Sequence, residues 1–147
     1  MKRILAFILT ITLLVLLPGC GATKAKNKIF RFVEKNYDAI VTACERQDTQ
    51  ALLAIDGVKE VKLAEGYVIV YCHGSGIVPS SQYYGFYYSE ENSPVTVDCN
   101  LDIVGHETDL SPEGDGYECV VHGNVYYTEH IKGSIYFYSA AYSLQNV

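Results

Sequence analysis

Val58-Lys59-Glu60-Val61-Lys62-Leu63-Ala64-Glu65-Gly66-Tyr67-Val68-Ile69-Val70-Tyr71-Cys72 is the stretch on which the fold turns. Val61 and Leu63 alternate with Glu60 and Lys62, the period-two pattern of a strand with one wet face. Glu65-Gly66 reads as a tight hairpin, because glycine adopts the positive φ that two-residue loops need. Tyr67 to Cys72 is apolar at both parities, which predicts a strand covered on both faces and central in its sheet.

Upstream the period is different. Ile29, Phe30, Val33, Tyr37, Ile40, Val41 and Cys44 recur at steps of three and four, one stripe of an amphipathic helix expected from about Asn27 to Arg46. Asp48 is placed to cap a short second helix carrying Leu52, Leu53 and Ile55, ending at Asp56-Gly57. Downstream, His73 to Pro79 reads as a glycine-rich loop and Ser81 to Ser89 as an aromatic strand. Val95 to Val104 reads as one strand with a wet face, Gly105 to Gly116 as an acidic loop. Tyr117–His122 and Val125–His130 pair across Gly123-Asn124, and a last strand runs from Ser134 to about Tyr142. The expected class is α+β: an N-terminal amphipathic helix plus a short second helix, packed on a mainly antiparallel sheet of about six strands.

The start of the chain carries an address. Met1-Lys2-Arg3 is positive, and the 14 residues Ile4 to Leu17 are broken only by Thr10 and Thr12. That is roughly two thirds of the ~20 residues a spanning helix needs, and it has the layout of a secretion signal. The run ends in Leu17-Pro18-Gly19-Cys20, which resembles the lipobox of bacterial lipoproteins, Pro18 being its one departure. The resemblance implies cleavage before Cys20 and diacylglycerol on its sulfur, with palmitate-type acylation. It places the chain on the extracytoplasmic side of the cell membrane. Two or three acyl chains, at ~0.8 kcal/mol per buried methylene, anchor firmly. The expected organisation is a signal at 1–19, a lipidated tether at 20–26 reaching at most ~25 Å, and a single domain at 27–147. Lys24, Lys26, Lys28 and Arg31 gather at the membrane-proximal end.

Without the signal, 128 residues remain, enough for one core. Nine Lys and Arg stand against all 17 Asp and Glu, a formal charge of −8. No Lys or Arg occurs between Lys62 and Lys132. Such a surface repels phosphate backbones, which argues against nucleic acid as a partner. Cys44, Cys72, Cys99 and Cys119 allow three pairings into two disulfides or serve as small core residues.

Tyr83-Tyr84-Gly85-Phe86-Tyr87-Tyr88-Ser89, with Tyr127-Thr128-Glu129-His130-Ile131 and Tyr136-Phe137-Tyr138, resembles a group of small lipoproteins from Firmicutes-type bacteria. That group has no assigned activity, so the resemblance implies the address and no chemistry. The helix-then-sheet order is loosely similar to cystatin-like and NTF2-like domains, a likeness of fold only.

Four constellations carry candidate chemistry. His73-Gly74-Ser75-Gly76 sets a serine between glycines without completing G-x-S-x-G, and a glycine-rich loop accounts for it better. Asp98, Asn100, Asp102 and Asp109 match places 1, 3, 5 and 12 of an EF-hand, but Ile103 stands where glycine is needed. A looser cation site is conceivable in His106-Glu107-Thr108-Asp109 with Glu113 and Asp115. Cys119 and His122 have a finger-like spacing, yet residues three apart on a strand face opposite ways. No metal or cofactor is therefore expected. The tyrosines offer a further site: Tyr83, Tyr84, Phe86, Tyr87, Tyr88, Tyr127, Tyr136 and Tyr138 occupy both strand parities. One helix covers one face, so the other set can lie open to an envelope protein, peptide or polymer. The expected function is a non-enzymatic, membrane-anchored binding module. The alternative is a small hydrolase whose site assembles only in the fold.

Overall fold

The computed structural model describes residues 20–77 and 80–143; the candidate signal at 1–19, with Gly19 of its cleavage bond, lies outside the described residues. Among the described residues three helices come first, α1 (Cys20–Lys35), α2 (Tyr37–Glu45) and α3 (Thr49–Leu53). Nine strands follow: β1 (Glu60–Ala64), β2 (Tyr67–Ile77), β3 (Ser80–Ser89), β4 (Val95–Val97), β5 (Ile103–His106), β6 (Ser111–Glu113), β7 (Gly116–Val121), β8 (Asn124–Lys132) and β9 (Ile135–Ala141). Seven strands form one antiparallel sheet in the order β1-β2-β3-β9-β8-β7-β6, and β4 and β5 pair separately. The fold is α+β, as its sequence periods predict, with three more strands than the six expected.

The single helix expected over 27–46 is two helices broken at Asn36. The Asn36 side-chain amide donates to the Phe32 carbonyl at 2.9 Å, competing for an acceptor the helix ladder uses. α2 ends in a Schellman arrangement: Asp48 N donates to Ala43 O and Gln47 N to Cys44 O, with Gln47 at φ 51. Asp48 then caps α3, its carboxylate accepting from Ala51 N at 3.0 Å. The expected cap is thus the observed one.

The helices pack on one sheet face. Ala25 lies by His73, the Phe32 ring is 6.0 Å from Phe86, and Lys132 sits 4.2 Å above Tyr37, next to Gly133. α1 therefore starts at the sheet end that carries the β2–β3 and β7–β8 hairpins and runs toward the opposite end. Its stripe Ile29 and Val33, with Ile40 and Cys44 of α2, buries against Val68, Val70, Phe86, Ile135 and Phe137. Each large apolar side chain so buried contributes roughly 1.5–3 kcal/mol.

The segment read as a short tether, 20–26, forms the first turns of α1. Lys26 Nζ is 2.7 Å from Glu129 Oε2 on β8, and the Tyr127 hydroxyl donates to the same oxygen at 2.6 Å. Glu129 is buried, so this bond holds the front of α1 on the sheet.

The other sheet face is not bare. Val95, Val97 and Leu101 pack with Ile69, Tyr87, Tyr136 and Tyr138 into a second core. The strand expected over 95–104 is in fact two short strands around a turn. Asp98 Oδ1 accepts from Asn100 N and Asp102 N, both at 2.8 Å, and Leu101 takes φ 59. An aspartate that bonds the backbone two residues on makes a turn and ends the ladder. The apolar alternation persists because Val97, Leu101 and Ile103 still face the core.

Three further boundaries move. The β7–β8 turn is His122-Gly123, both at positive φ (51 and 78), one residue before the expected Gly123-Asn124. The stretch read as a loop from His73 is strand to Ile77, paired with Ser80 to Tyr84 after a register shift beyond Tyr71. The acidic loop 105–116 holds the end of β5, a 3₁₀ turn at Glu107–Asp109 and β6.

Candidate functional site

The tyrosine-rich strands are the seat of the β4–β5 cover. Tyr84, Phe86, Tyr87, Tyr136 and Tyr138 are buried; Tyr83, Tyr88 and Tyr127 are half-buried. Tyr84, Phe86, Tyr88 and Tyr127 pack with the helices, while Tyr87, Tyr136 and Tyr138 lie beneath β4 and β5. Tyr83 lies edge-on to Tyr142, their ring centres 5.8 Å apart. Over Tyr87, Tyr136 and Tyr138 the ring face expected to be open is filled, because the chain doubles back over it between Glu90 and His106, while Tyr83 stays half-buried.

The hydroxyls explain why these residues are tyrosine and not phenylalanine. Val95 N donates to Tyr87 Oη at 2.9 Å, and the same oxygen is 2.7 Å from Thr128 Oγ1. Tyr136 Oη donates to the Asn92 carbonyl at 2.8 Å, and Cys99 N donates to Tyr142 Oη at 3.1 Å. Three phenols thus fasten the segment 92–99 to the sheet by its backbone. The Tyr87 and Tyr136 rings stack 5.2 Å apart at 4°. Burial pushes both phenols above their ordinary pKa of 10.0. Tyr138 is pushed well above it for the same reason, and its hydroxyl is buried with no hydrogen-bond partner among the described residues. Its ring lies over Gly85, where a Cβ would stand 2.7 Å from ring carbon Cε1 and also collide with the Val70 carbonyl.

The other candidates fall out as follows. His73-Gly74-Ser75-Gly76 is part of β2, and the His73 ring stacks on Tyr84 with centres 6.3 Å apart. That is a strand lying in the sheet, not the sharp strand-to-helix turn that presents a nucleophile. The Asp98–Asp102 carboxylates do not converge: Asp98 caps its own turn and Asp102 pairs with Lys62 at 2.7 Å. Asp109 is engaged by the His106 backbone N–H at 3.1 Å. Cys119 lies on β7, and His122 is in the turn that follows. Among the described residues no three His, Cys, Asp or Glu side chains form a group that could hold a metal. Cys44 and Cys72 are buried, and burial pushes both thiols up to about 12, far from a reactive thiolate. Cys99 and Cys119 are half-buried, and all four cysteines are free.

Among the concavities of the described residues, two involve the sheet and neither was legible in the sequence. The larger, about 550 Å³, opens at the sheet end away from the start of α1, between Glu65, Tyr67, Glu90, Glu91, Ile103 and His106. Its carboxylates come from the β1–β2 turn and the turn after β3, which Glu90 N bonding to Gly66 O brings together. The smaller lies between α1 and β2, with Ile29, Phe32 and Cys72 in its walls. No pattern of spacing announces either, since each is assembled from separate turns. The chain matches no protein-family model, no curated protein and no solved structure.

Proposed function

We propose that this chain is a membrane-anchored extracytoplasmic lipoprotein, held by lipid on Cys20, that acts as a non-enzymatic binding domain through the acidic cleft at its far end. The observation that carries the reading is polarity. Cys20 begins a helix locked onto the sheet by Lys26 and Glu129, while Glu65, Glu90 and Glu91 line a cleft at the opposite end. Cys20 is six residues from Lys26, ~9 Å of helix, so the anchor supports a docked domain directly and not a swinging one. Lys24, Lys28 and Arg31, exposed on α1, then face an anionic bilayer, and the carboxylates are held away from it. A cleft lined by Tyr67, Ile103 and three carboxylates suits a cationic ligand or a basic segment of an envelope protein. No helix among the described residues is long and apolar enough to cross a membrane.

The test is fractionation of cells producing the wild-type chain, Cys20→Ala, and the triple variant E65Q/E90Q/E91Q. Attachment through Cys20 predicts release of the first variant and full retention of the second. Loss of copurifying basic partners from the triple variant alone supports the cleft. Membrane retention of Cys20→Ala with its signal uncut would make the apolar run Ile4 to Leu17 the anchor.

A further inference from the structure

The cavity between α1 and β2 has a composition at odds with the rest of the molecule. Its volume is about 170 Å³, close to six water-sized groups at ~30 Å³ each. Ile29 and Cys72 in its floor are buried, and the ring of Phe32 walls it where Gly57, at φ 107, leaves room. A Cβ on Gly57 would come within 3.2 Å of that ring. Exposed Lys28 and Lys59 stand at the mouth, and half-buried His73 completes the lining. Neither Lys28 nor Lys59 has a carboxylate within ion-pair distance among the described residues, in a chain carrying a formal charge of −6. Lys59 Nζ lies 5.5 Å from the centre of the Tyr71 ring, which steadies its stem at the rim. Both ammonium groups act on the Cys72 thiol from that mouth, lowering a pKa that burial raises. An apolar floor and two cations without an ion-pair partner at the opening form an amphipathic receptor of one sign.

We propose that this cavity binds a short-chain alkyl carboxylate, its chain on Ile29, Phe32 and Cys72 and its carboxylate between Lys28 and Lys59. The class follows from charge and size. A cation would meet two lysines; an uncharged alkane would leave them unpaired; a full-length acyl chain exceeds 170 Å³. The free, water-dispersed acid fits better than a bilayer lipid for the last reason. This site is separate from the acidic cleft and does not depend on Cys20 being acylated.

The test is titration of the purified full chain with hexanoate, followed by calorimetry and by the proton resonances of the His73 ring. The expected result is saturable binding that shifts His73, with acetate and hexan-1-ol at least tenfold weaker. The double variant K28Q/K59Q should lose tenfold or more. Ala25→Leu, which extends a side chain from α1 into the cavity, should abolish binding, and Lys24→Gln should leave it unchanged. Lys28 and Lys59 are exposed, so thermal melts should match wild type; if the double variant does not fold, the two single variants replace it. Absence of saturation, or equal affinity in the lysine variants and Ala25→Leu, would overturn the proposal. Phospholipid vesicles competing as well as hexanoate would overturn the free-acid assignment and give the site to the bilayer.

Discussion

Tyr87→Phe isolates the bond that holds the cover on the sheet. The substitution removes one oxygen and leaves the ring, its stacking on Tyr136 and the buried volume in place. Two partners lose it. Thr128 Oγ1 keeps its bond to the Phe137 carbonyl at 3.0 Å, so its loss is small. Val95 N has no such reserve: Val95 is 1% exposed, and its amide becomes a buried donor without an acceptor. Leaving such a group unsatisfied costs about 1–3 kcal/mol, so a loss near ~2 kcal/mol is expected. For a domain of this size that lowers Tm by roughly 6–10 °C. The assay is urea and thermal unfolding of Y87F beside Y88F, a half-buried tyrosine whose hydroxyl has no hydrogen bond among the described residues. Amide exchange at Val95 should accelerate in Y87F alone. A Y87F protein within ~0.5 kcal/mol of wild type, with Val95 still protected, would refute the view that phenols fasten the 92–99 segment.

Other expectations follow from the same geometry. Gly85→Ala should destabilise by about 3 kcal/mol or more, read by urea unfolding, because its methyl meets the Val70 carbonyl and the Tyr138 ring. Stability should fall as pH rises above 10: burial raises the Tyr87, Tyr136 and Tyr138 pKa in the fold, so the unfolded chain sheds protons first. The tyrosinate absorbance of these three buried rings should accordingly appear only together with unfolding, and ionisation of all thirteen tyrosines in the intact fold would contradict the burial. Glu129→Ala should cost roughly 1–3 kcal/mol and speed amide exchange in the first turns of α1, since Lys26 and Tyr127 lose their shared partner. A thiol reagent should label Cys99 and Cys119 in the native protein and reach Cys44 and Cys72 only on unfolding.

Local signals settled much of this molecule before any contact was known. The period-two alternation with Glu65-Gly66 sets the β1–β2 hairpin, and Asp48 caps α3 because its carboxylate reaches an amide three residues away. Both depend only on neighbours in the chain, so they are readable there. The candidate lipidation motif at Leu17-Pro18-Gly19-Cys20 is likewise a local signal. Tertiary structure decided what covers what. Tyr87 and Tyr136 advertise buried or ligand-facing rings equally well; only the return of β4 and β5 over them makes them core. Alternation from Val95 to Ile103 looks continuous because it records which side chains face the core. The Asp98 turn inside it changes the path of the backbone without changing that sidedness. The helix from Cys20 was hidden too, since Lys26 reads as solvated until Glu129, 103 residues on, is folded against it. The same is true of both cavities, whose walls come from separate turns and strands. Sidedness is written residue by residue along a chain, whereas a covering partner or a cavity needs groups distant in sequence to meet, which packing alone brings about.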